Sequence, residues 1–286
     1  MKNLICLLFA IVQINLYAQT DGILWKVTGK ELTKLTYILG TIHITCQSDK
    51  IMKPLIDSLI AKTDILATEI NFTDANEIKL IMESEKEVAI QNVNEVLIPV
   101  EFALVDSIYK VLLNDTLLKY NSKSLMTVMT KIILSSGMIG CDKLEVIDIL
   151  VTIKAYGMAK KIIGLDGFQF QKNLLDSIPE ADKKQWLLEL CNNFQKSKLE
   201  FKSLENAYFD QKAEEVYKIS LETSPEFSKH EKLFLTDRNI KWVNYLQANM
   251  KLNTYFVAVG AGHLGGPNGM IALLKKAGYK LTPIKI

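Results

Sequence analysis

Two apolar runs of strand length each end in the four-residue frame Gly-x-x-His. The first run, LTYILGTIH, ends at His43, and the second, TYFVAVGAGH, ends at His263. The remaining histidine, His230, lies in a polar stretch without this frame. Histidine is the commonest metal ligand and titrates near neutrality, so two histidines at strand ends predict one shared site. The alternative is a pair of satisfied histidines in strand-to-helix loops.

Glycines surround both histidines. Gly40 and Gly260 open the two frames, and Gly262 directly precedes the second histidine. Glycine lets backbone or a ligand approach closely, which makes these three positions candidates for substrate binding. In the loop GAGHLGGPNG, a helix predicted to begin at Pro267 would direct its free N–H groups toward an anion or a developing oxyanion. A tight strand-to-helix turn that needs glycine is the alternative.

The N-terminal part of the chain predicts a β-hairpin followed by a βαβ unit. The runs ILWKVTG and LTYILGTIH form the hairpin, Pro54 suits the first turn of a helix, and DILATEI forms a strand ending near Glu69. The two strands that flank this helix are expected to be parallel neighbours. Their carboxyl ends, at His43 and Glu69, would then share the sheet edge at which α/β proteins bind ligands.

The rest of the chain predicts a long helical insertion between two α/β segments. Residues 71 to 250 read as amphipathic helices, interrupted by a strand, KKIIGLD, near residues 160–166. The last forty residues return to strand, loop, helix and a short strand, KLTPI. We therefore predict an α/β fold in which two βαβ-type halves form a mixed sheet core.

The first eighteen residues have the pattern of a secretory signal peptide. Lys2 supplies a positive charge, an apolar stretch follows, and a small residue precedes Gln19. We expect residues 1–18 to be removed, leaving one domain over 19–286 that is periplasmic or secreted and keeps no stable membrane anchor. The charge balance of 34 basic against 32 acidic residues provides no electrostatic case for a nucleic-acid partner.

Cysteine and arginine usage add two further constraints. Cys46, Cys141 and Cys191 follow the leader, so at most one disulfide is expected among them, and stability must come from an apolar core. Arg238 is the only arginine in a lysine-rich chain. Because a guanidinium can pair with a carboxylate or phosphate in bidentate geometry, we expect Arg238 to be required for the structure or the chemistry of the protein. A chance surface residue is the alternative.

Two histidines and one carboxylate are enough to hold a divalent metal with positions left open for water. Glu69 is the best carboxylate for this site, because the βαβ unit brings it beside His43. A helix N-cap or a solvated strand end is the alternative for Glu69. The HExxH pattern of many zinc proteases does not occur in the sequence.

The residues at both ends of the chain resemble the TraB/GumN family, which is related to the Tiki-type metalloproteases. The resemblance rests on LWKVTGKELTKLTYILGTIHI at the start and FVAVGAGHLGGPNGMIALLKKAGYKLTPI at the end. In the middle of the chain, the family pattern has an aspartate, a helix, a strand and then a glutamine. Asp148 and Gln171 occupy the aspartate and glutamine positions of this pattern. The segment TDRNIKW resembles its Arg-Asn-x-x-Trp element at Arg238, Asn239 and Trp242. On this ground Asp148 and Asn239 join the candidate substrate-binding residues.

The resemblance implies a shared α/β fold with a helical insert and, in the Tiki branch, a metal-dependent peptidase that uses both histidines and the glutamate. At Asp166-Gly167 the family pattern usually has Glu-Thr. The shorter carboxylate is expected to stand about an ångström farther from any partner, which weakens the case for a role of Asp166.

The function predicted from the sequence is therefore an exported metal-dependent hydrolase that acts on a peptide or similar acyl bond. His43 and His263 would bind a divalent ion such as Mn, Co or Zn, and Glu69 would be a ligand or a base. Arg238 would clamp a substrate carboxylate or hold a buried acid. One alternative is a metal-independent, esterase-like hydrolase with His43 as general base. The other is a non-catalytic protein that binds a peptide or small ligand.

Overall fold

The computed structural model describes residues 21–89, 91–135, 140–141 and 143–286. The expected signal peptide, residues 1–18, lies outside the described residues. None of the helices in the described part of the chain is long and apolar enough to cross a bilayer.

A mixed six-stranded sheet forms the centre of the fold, with the strand order β4-β3-β5-β2-β1-β6. The strands are β1 Leu24–Thr28, β2 Thr36–Thr41, β3 Ile65–Thr68, β4 Lys161–Gly164, β5 Tyr255–Gly260 and β6 Lys280–Pro283. Strands β4, β3, β5 and β2 are parallel, whereas β1 pairs antiparallel with β2 and β6. The predicted mixed α/β fold and the N-terminal hairpin are confirmed.

Helices account for most of the remaining described chain. Their bounds are Pro54–Ala61, Ala75–Lys86, Val93–Val96, Pro99–Leu113, Leu125–Ile133, Ile147–Gly157, Phe168–Asp176, Glu180–Asn192, Phe194–Phe209, Ala213–Glu222, Pro225–Lys229, Asp237–Asn249 and Met270–Lys276. A π-helical turn, Lys232–Thr236, leads into the helix Asp237–Asn249. Short 3-10 turns lie at Ser48–Lys50, Leu117–Tyr120 and Ala261–His263.

The expectation that β2 and β3 are direct neighbours is wrong, because β5 lies between them. β5 pairs in parallel with β2, aligning Gly260 with Thr41, and with β3, aligning Ala258 with Thr68. A strand-helix-strand segment specifies parallel strands in one sheet, yet it leaves room for a strand from a distant part of the chain. The carboxyl ends of all three strands still share one edge.

Burial on both faces explains why these central strands are nearly continuous apolar runs. Every residue of β2, β3 and β5 is buried, as parallel strands covered by helices require. Their side chains belong to a core that includes Ile38, Phe256 and Trp242. A second core within the helical insertion contains Tyr109, Leu125 and Leu187.

The last helix begins later than predicted. It starts at Met270, with Gly269 as N-cap, and not at Pro267. The amide of Gly269 donates to the carbonyl of Gly266 at 3.1 Å, so Pro267 occupies the second position of a four-residue turn, where its fixed φ is favoured. Gly266 has φ of +78°. The glycine-rich loop is therefore a compact turn before the helix.

One disulfide joins Cys46 to Cys141, and Cys191 is a free, buried thiol. The disulfide spans 95 residues of sequence. It connects the segment that follows β2 with the segment that precedes the helix Ile147–Gly157. This arrangement agrees with the expectation of at most one bridge among the described cysteines and rules out a Cys141–Cys191 pair.

Candidate functional site

The carboxyl ends of three adjacent parallel strands bring His43, Glu69 and His263 together. His43 follows β2 by two residues, Glu69 directly follows β3, and His263 ends the 3-10 turn after β5. All three side chains surround Gly260. A β-carbon built on Gly260 would lie 3.4 Å from Glu69 Oε1, 3.6 Å from His263 Cδ2 and 3.6 Å from His43 Nε2. The missing side chain of one glycine thus leaves the space that these three groups share.

Glu69 is buried, and both of its oxygens accept hydrogen bonds. Oε1 accepts from the amide of Gly260 at 2.8 Å. Oε2 accepts from Gln171 Nε2 at 3.2 Å and from Nη2 of Arg238. Three separate segments of the chain therefore fix the orientation of this carboxylate.

The charge of Glu69 is stabilised in spite of its burial. Burial by itself raises the pKa of the carboxyl group. The charges of Arg238 and His43, together with the Gly260 amide, outweigh this effect and hold the pKa of Glu69 well below its ordinary value. The carboxylate is consequently ionised at neutral pH and is a weak proton acceptor.

Arg238 connects the two acidic residues of the site to His263. Its Nε donates to Asp166 Oδ2 at 2.8 Å and its Nη2 pairs with Glu69. Its Nη1 donates to the Phe234 carbonyl at 3.1 Å and lies 3.2 Å from His263 Nε2. The side chain is 9% exposed. Of the two roles expected for this arginine, the structure supports that of holding buried acids.

Asp166 anchors the guanidinium, contrary to the expectation that its shorter side chain would stand back from a partner. Besides Arg238 Nε at 2.8 Å, it accepts from Lys241 Nζ at 2.8 Å and Trp242 Nε1 at 3.0 Å. Its side chain has no exposed surface. The three donors all come from the helix Asp237–Asn249. This helix lies close enough to Asp166 for the shorter carboxylate to reach them.

His263 is held as a neutral imidazole. The amide of Asn239 donates to the Asn268 carbonyl at 2.9 Å, which leaves its Oδ1 as acceptor for His263 Nδ1 at 2.7 Å. The hydrogen-bond network therefore assigns the proton to Nδ1 and leaves Nε2 to accept from Arg238. Burial lowers the pKa of His263 to about 3, and the Arg238 charge acts in the same direction, although Glu69 opposes it.

His43 has the opposite electrostatic character. Its Nδ1 lies 3.2 Å from Asp148 Oδ2, and Asp148 Oδ1 accepts from the Thr41 hydroxyl at 2.8 Å. Partial loss of water around the ring lowers its pKa. The hydrogen bond and charge of Asp148, with the charge of Glu69, outweigh this and raise the pKa of His43 to about 9. The side chain is 67% exposed, so the ring lies at the mouth of the site.

Two of the candidate glycines have other surroundings than Gly260. A β-carbon on Gly40 would lie 2.8 Å from Leu264 Cδ1 and 3.0 Å from Ala261 Cα, so Gly40 allows the 3-10 turn to pack against β2. A β-carbon on Gly262 would meet nothing within 4 Å. The described contacts therefore place only Gly260 among the polar side chains of the site.

The loop predicted to bind an anion is occupied by protein. The amide of Gly266 donates to Glu214 Oε2 at 2.8 Å. Gly265 and Gly266 also pack closely against Tyr217. The helix Ala213–Glu222 therefore takes up the space and one of the donors that a ligand would need.

Thr41 and Trp242 also belong to the site, and neither was among the candidate residues predicted from the sequence. The ring centroids of Trp242 and His263 lie 4.5 Å apart. The Cζ atom of Arg238 lies 4.6 Å from the centroid of the Trp242 ring. A signal existed for each residue. Thr41 precedes His43 by two positions, and Trp242 follows Arg238 by four, which places it on the same helix face.

The donor set suits a divalent metal ion, with one obstacle. Both histidines bond Nδ1 to an oxygen acceptor, Asp148 or Asn239, as metal-binding imidazoles usually do, and this leaves Nε2 for a metal. His263 Nε2 and Glu69 Oε1 lie 3.9 Å apart. Arg238, however, donates to that Nε2. Within the described residues, no group of three or more His, Cys, Asp or Glu side chains is preformed as a metal site.

His230, set apart on sequence, also lies apart in its contacts. Its Nε2 is 3.0 Å from Asp182 Oδ2, and its side chain is 17% exposed. It therefore serves as a reference histidine outside the site.

Comparison with protein-family models gives a match over nearly the whole chain. The model described as the TraB/PrgY/gumN family matches residues 23–283, which include every residue of the site. No curated protein and no solved structure matches the chain significantly. The family resemblance expected from the sequence is confirmed.

Proposed function

The chain belongs to the TraB/PrgY/gumN family, and we propose that it is a hydrolase that uses a divalent metal ion to cleave a peptide or related acyl bond. One observation carries this proposal. Two imidazoles with oxygen-bonded Nδ1 atoms, and one ionised carboxylate, surround the space left by Gly260.

His43, His263 and Glu69 would hold the metal. Such an ion, when bound, polarises a carbonyl and lowers the pKa of a coordinated water to about 7. Of the two roles considered for Glu69, ligation is favoured over that of a base, because its pKa is held low. Gln171 and Arg238 orient its Oε2 and leave Oε1 on the side of His263.

The surrounding residues would prepare the two histidines for different tasks. Asn239 keeps the proton of His263 on Nδ1, so Nε2 is available once Arg238 shifts away from it. Asp148 fixes the ring of His43 and favours its protonated form in the absence of metal. Metal binding at His43 would therefore release a proton and be weaker at low pH.

One observation favours a second candidate, a metal-independent hydrolase. The Arg238 guanidinium already contacts Glu69 and His263 and places a fixed positive charge in the site. In this case His43, paired with Asp148, would act as the general base of an esterase-like cleavage, although its raised pKa leaves only a minor neutral fraction of the ring at pH 7. Arg238 would act mainly through its charge, since four of its five N–H groups contact protein acceptors.

The test combines metal analysis with a cleavage assay. Protein purified without chelator is analysed for Mn, Co and Zn by mass spectrometry and incubated with a peptide library, with and without EDTA. We expect bound metal and cleavage that EDTA abolishes. His43→Gln and His263→Gln should each reduce cleavage roughly 100-fold or more, while the matched control His230→Gln keeps full activity.

Two outcomes would contradict the metal-dependent proposal. Cleavage by metal-free protein that still requires His43 would favour the second candidate. Saturable peptide binding without cleavage under any metal would favour the non-catalytic binding protein.

We also propose that the protein is exported, as its first eighteen residues suggest. The Cys46–Cys141 disulfide supports this, because disulfides persist mainly in oxidising compartments. Terminal sequencing of protein recovered from the periplasm or medium should give Gln19 as the first residue. An intact Met1 in that fraction would contradict cleavage of the leader.

A further inference from the structure

Side-chain hydrogen bonds, a backbone bridge and a disulfide join the two distant segments that carry His43 and Asp148. The side chains of Thr41 and His43 bond Asp148. Thr45 and Glu145 then exchange backbone hydrogen bonds, 2.9 Å each, as an antiparallel bridge. The disulfide between residues 46 and 141 closes the far end of this ladder.

The ladder matters because little else holds the His43 ring. Its side chain is 67% exposed, and Asp148 is its hydrogen-bond partner in the described part of the structure. After β2 the chain continues without regular structure to the 3-10 turn Ser48–Lys50. The contact between His43 and Asp148 therefore depends on the two segments staying in register.

We propose that the Cys46–Cys141 disulfide positions His43 against Asp148, so that the candidate site is complete only in the oxidised protein. Cys46 and Cys141 act as positioning residues and contact no reacting group. The consequence for catalysis rests on the proposed function, whereas the positioning of His43 does not.

The redox chemistry requires a dithiol and its cyclic disulfide. A dithiol attacks one sulfur of the bond between Cys46 and Cys141 and then closes on itself, which transfers two electrons and two protons to give two cysteine thiols. The oxidised dithiol reverses the reaction. Both cysteines are partly exposed. Cys191 is buried, and burial raises its pKa to about 12, so it is a poor competitor for exchange.

The first test follows the imidazole nitrogens of all three histidines by long-range proton–nitrogen NMR. In oxidised protein we expect the His43 signals to report an Nδ1 hydrogen bond. Reduction with dithiothreitol, or the double substitution Cys46→Ser and Cys141→Ser, should shift them to the values of a free imidazole. Asp148→Ala in oxidised protein, which removes the acceptor, should give the same shift. His263 and His230 should keep their signals.

Unchanged His43 signals after reduction and in the double variant would overturn the proposal. Equal changes at all three histidines would also overturn it, because the disulfide would then support the whole fold and not this ring. If the double variant does not fold, reduced wild-type protein decides the result. Cys191→Ala, which keeps the disulfide, is the matched control and should leave all three histidines unchanged.

The second test measures cleavage once a substrate is known. Reduction should lower kcat at least tenfold with a smaller change in KM, and re-oxidation should restore it. His43→Gln should not respond to reduction. A shift of the His43 signals without any cleavage under either condition would retain the positioning role and reject the hydrolase.

Discussion

Arg238 donates Nη1–H to Nε2 of His263 at 3.2 Å, the nitrogen through which that histidine would bind a metal ion. The same guanidinium pairs with Glu69 and with Asp166. Arg238 therefore holds Glu69, Asp166 and His263 together, and it would have to move before His263 could bind the proposed metal ion. Replacing this one side chain should therefore affect both the stability of the fold and the geometry of the site.

Arg238→Lys should destabilise the protein by roughly 2–5 kcal/mol, because a lysine cannot reach Glu69, Asp166 and His263 together and would leave buried acids unpaired. Urea unfolding followed by circular dichroism measures this loss. Lys241→Gln is the matched control. Lys241 pairs with the same aspartate but its side chain is 49% exposed, so its replacement should cost less than about 1 kcal/mol. Equal losses for both variants would mean that Arg238 has no special role.

Gly260→Ala should abolish metal binding and activity while the protein stays folded. The new methyl would lie at ordinary contact distances of 3.4–3.6 Å from Glu69, His263 and His43, and φ of −51° at Gly260 is accessible to alanine. The methyl would fill the shared space. Isothermal titration calorimetry with Mn²⁺, Co²⁺ and Zn²⁺ measures the effect.

Gly262→Ala is the control for this substitution, because its methyl would meet nothing within 4 Å. It should bind metal as the wild type does. If Gly260→Ala binds metal with unchanged affinity, the space around Gly260 is not the metal site.

His43 should make the free energy of unfolding fall at alkaline pH. Its pKa is about 9 in the folded protein and about 6.5 when unfolded. Its stabilisation is therefore complete below about pH 6.5 and is lost as the pH rises through 9. Urea titrations between pH 6 and 9.5 should show this fall, and Asp148→Asn should remove it. Identical pH profiles for both proteins would mean that the pair contributes nothing.

His263 should make the free energy of unfolding fall at acidic pH. The folded protein keeps it neutral down to a pKa of about 3, whereas the unfolded chain binds a proton below about pH 6.5. Stability should therefore fall as the pH decreases from 6.5 to 3, with a slope of at most about 1.4 kcal/mol per pH unit from this residue. His263→Gln should remove this component. A retained slope in the variant would assign it to other groups.

Local pattern predicted several elements correctly, and the reasons are physical. Pro54 begins its helix, because proline suits the first helical position. β5 ends at Gly260, where a continuous apolar run stops. Pro267 was predicted as a helix start and lies in a turn instead. Proline is favoured both at the start of a helix and at the second position of a turn. The hydrogen bond from the Gly269 amide to the Gly266 carbonyl distinguishes the two, and it cannot be predicted from composition.

By itself, the sequence determined which segments become buried strands and that His43, Glu69 and His263 end three of them. Burial imposes a local pattern, so apolar runs and their ends can be read directly. Only the tertiary structure decided that β5 lies between β2 and β3 and that Arg238 enters the site to hold Glu69, Asp166 and His263. These contacts join segments tens to more than a hundred residues apart. Their pairing depends on how the whole sheet and its helices pack, because many strand orders satisfy the same local pattern.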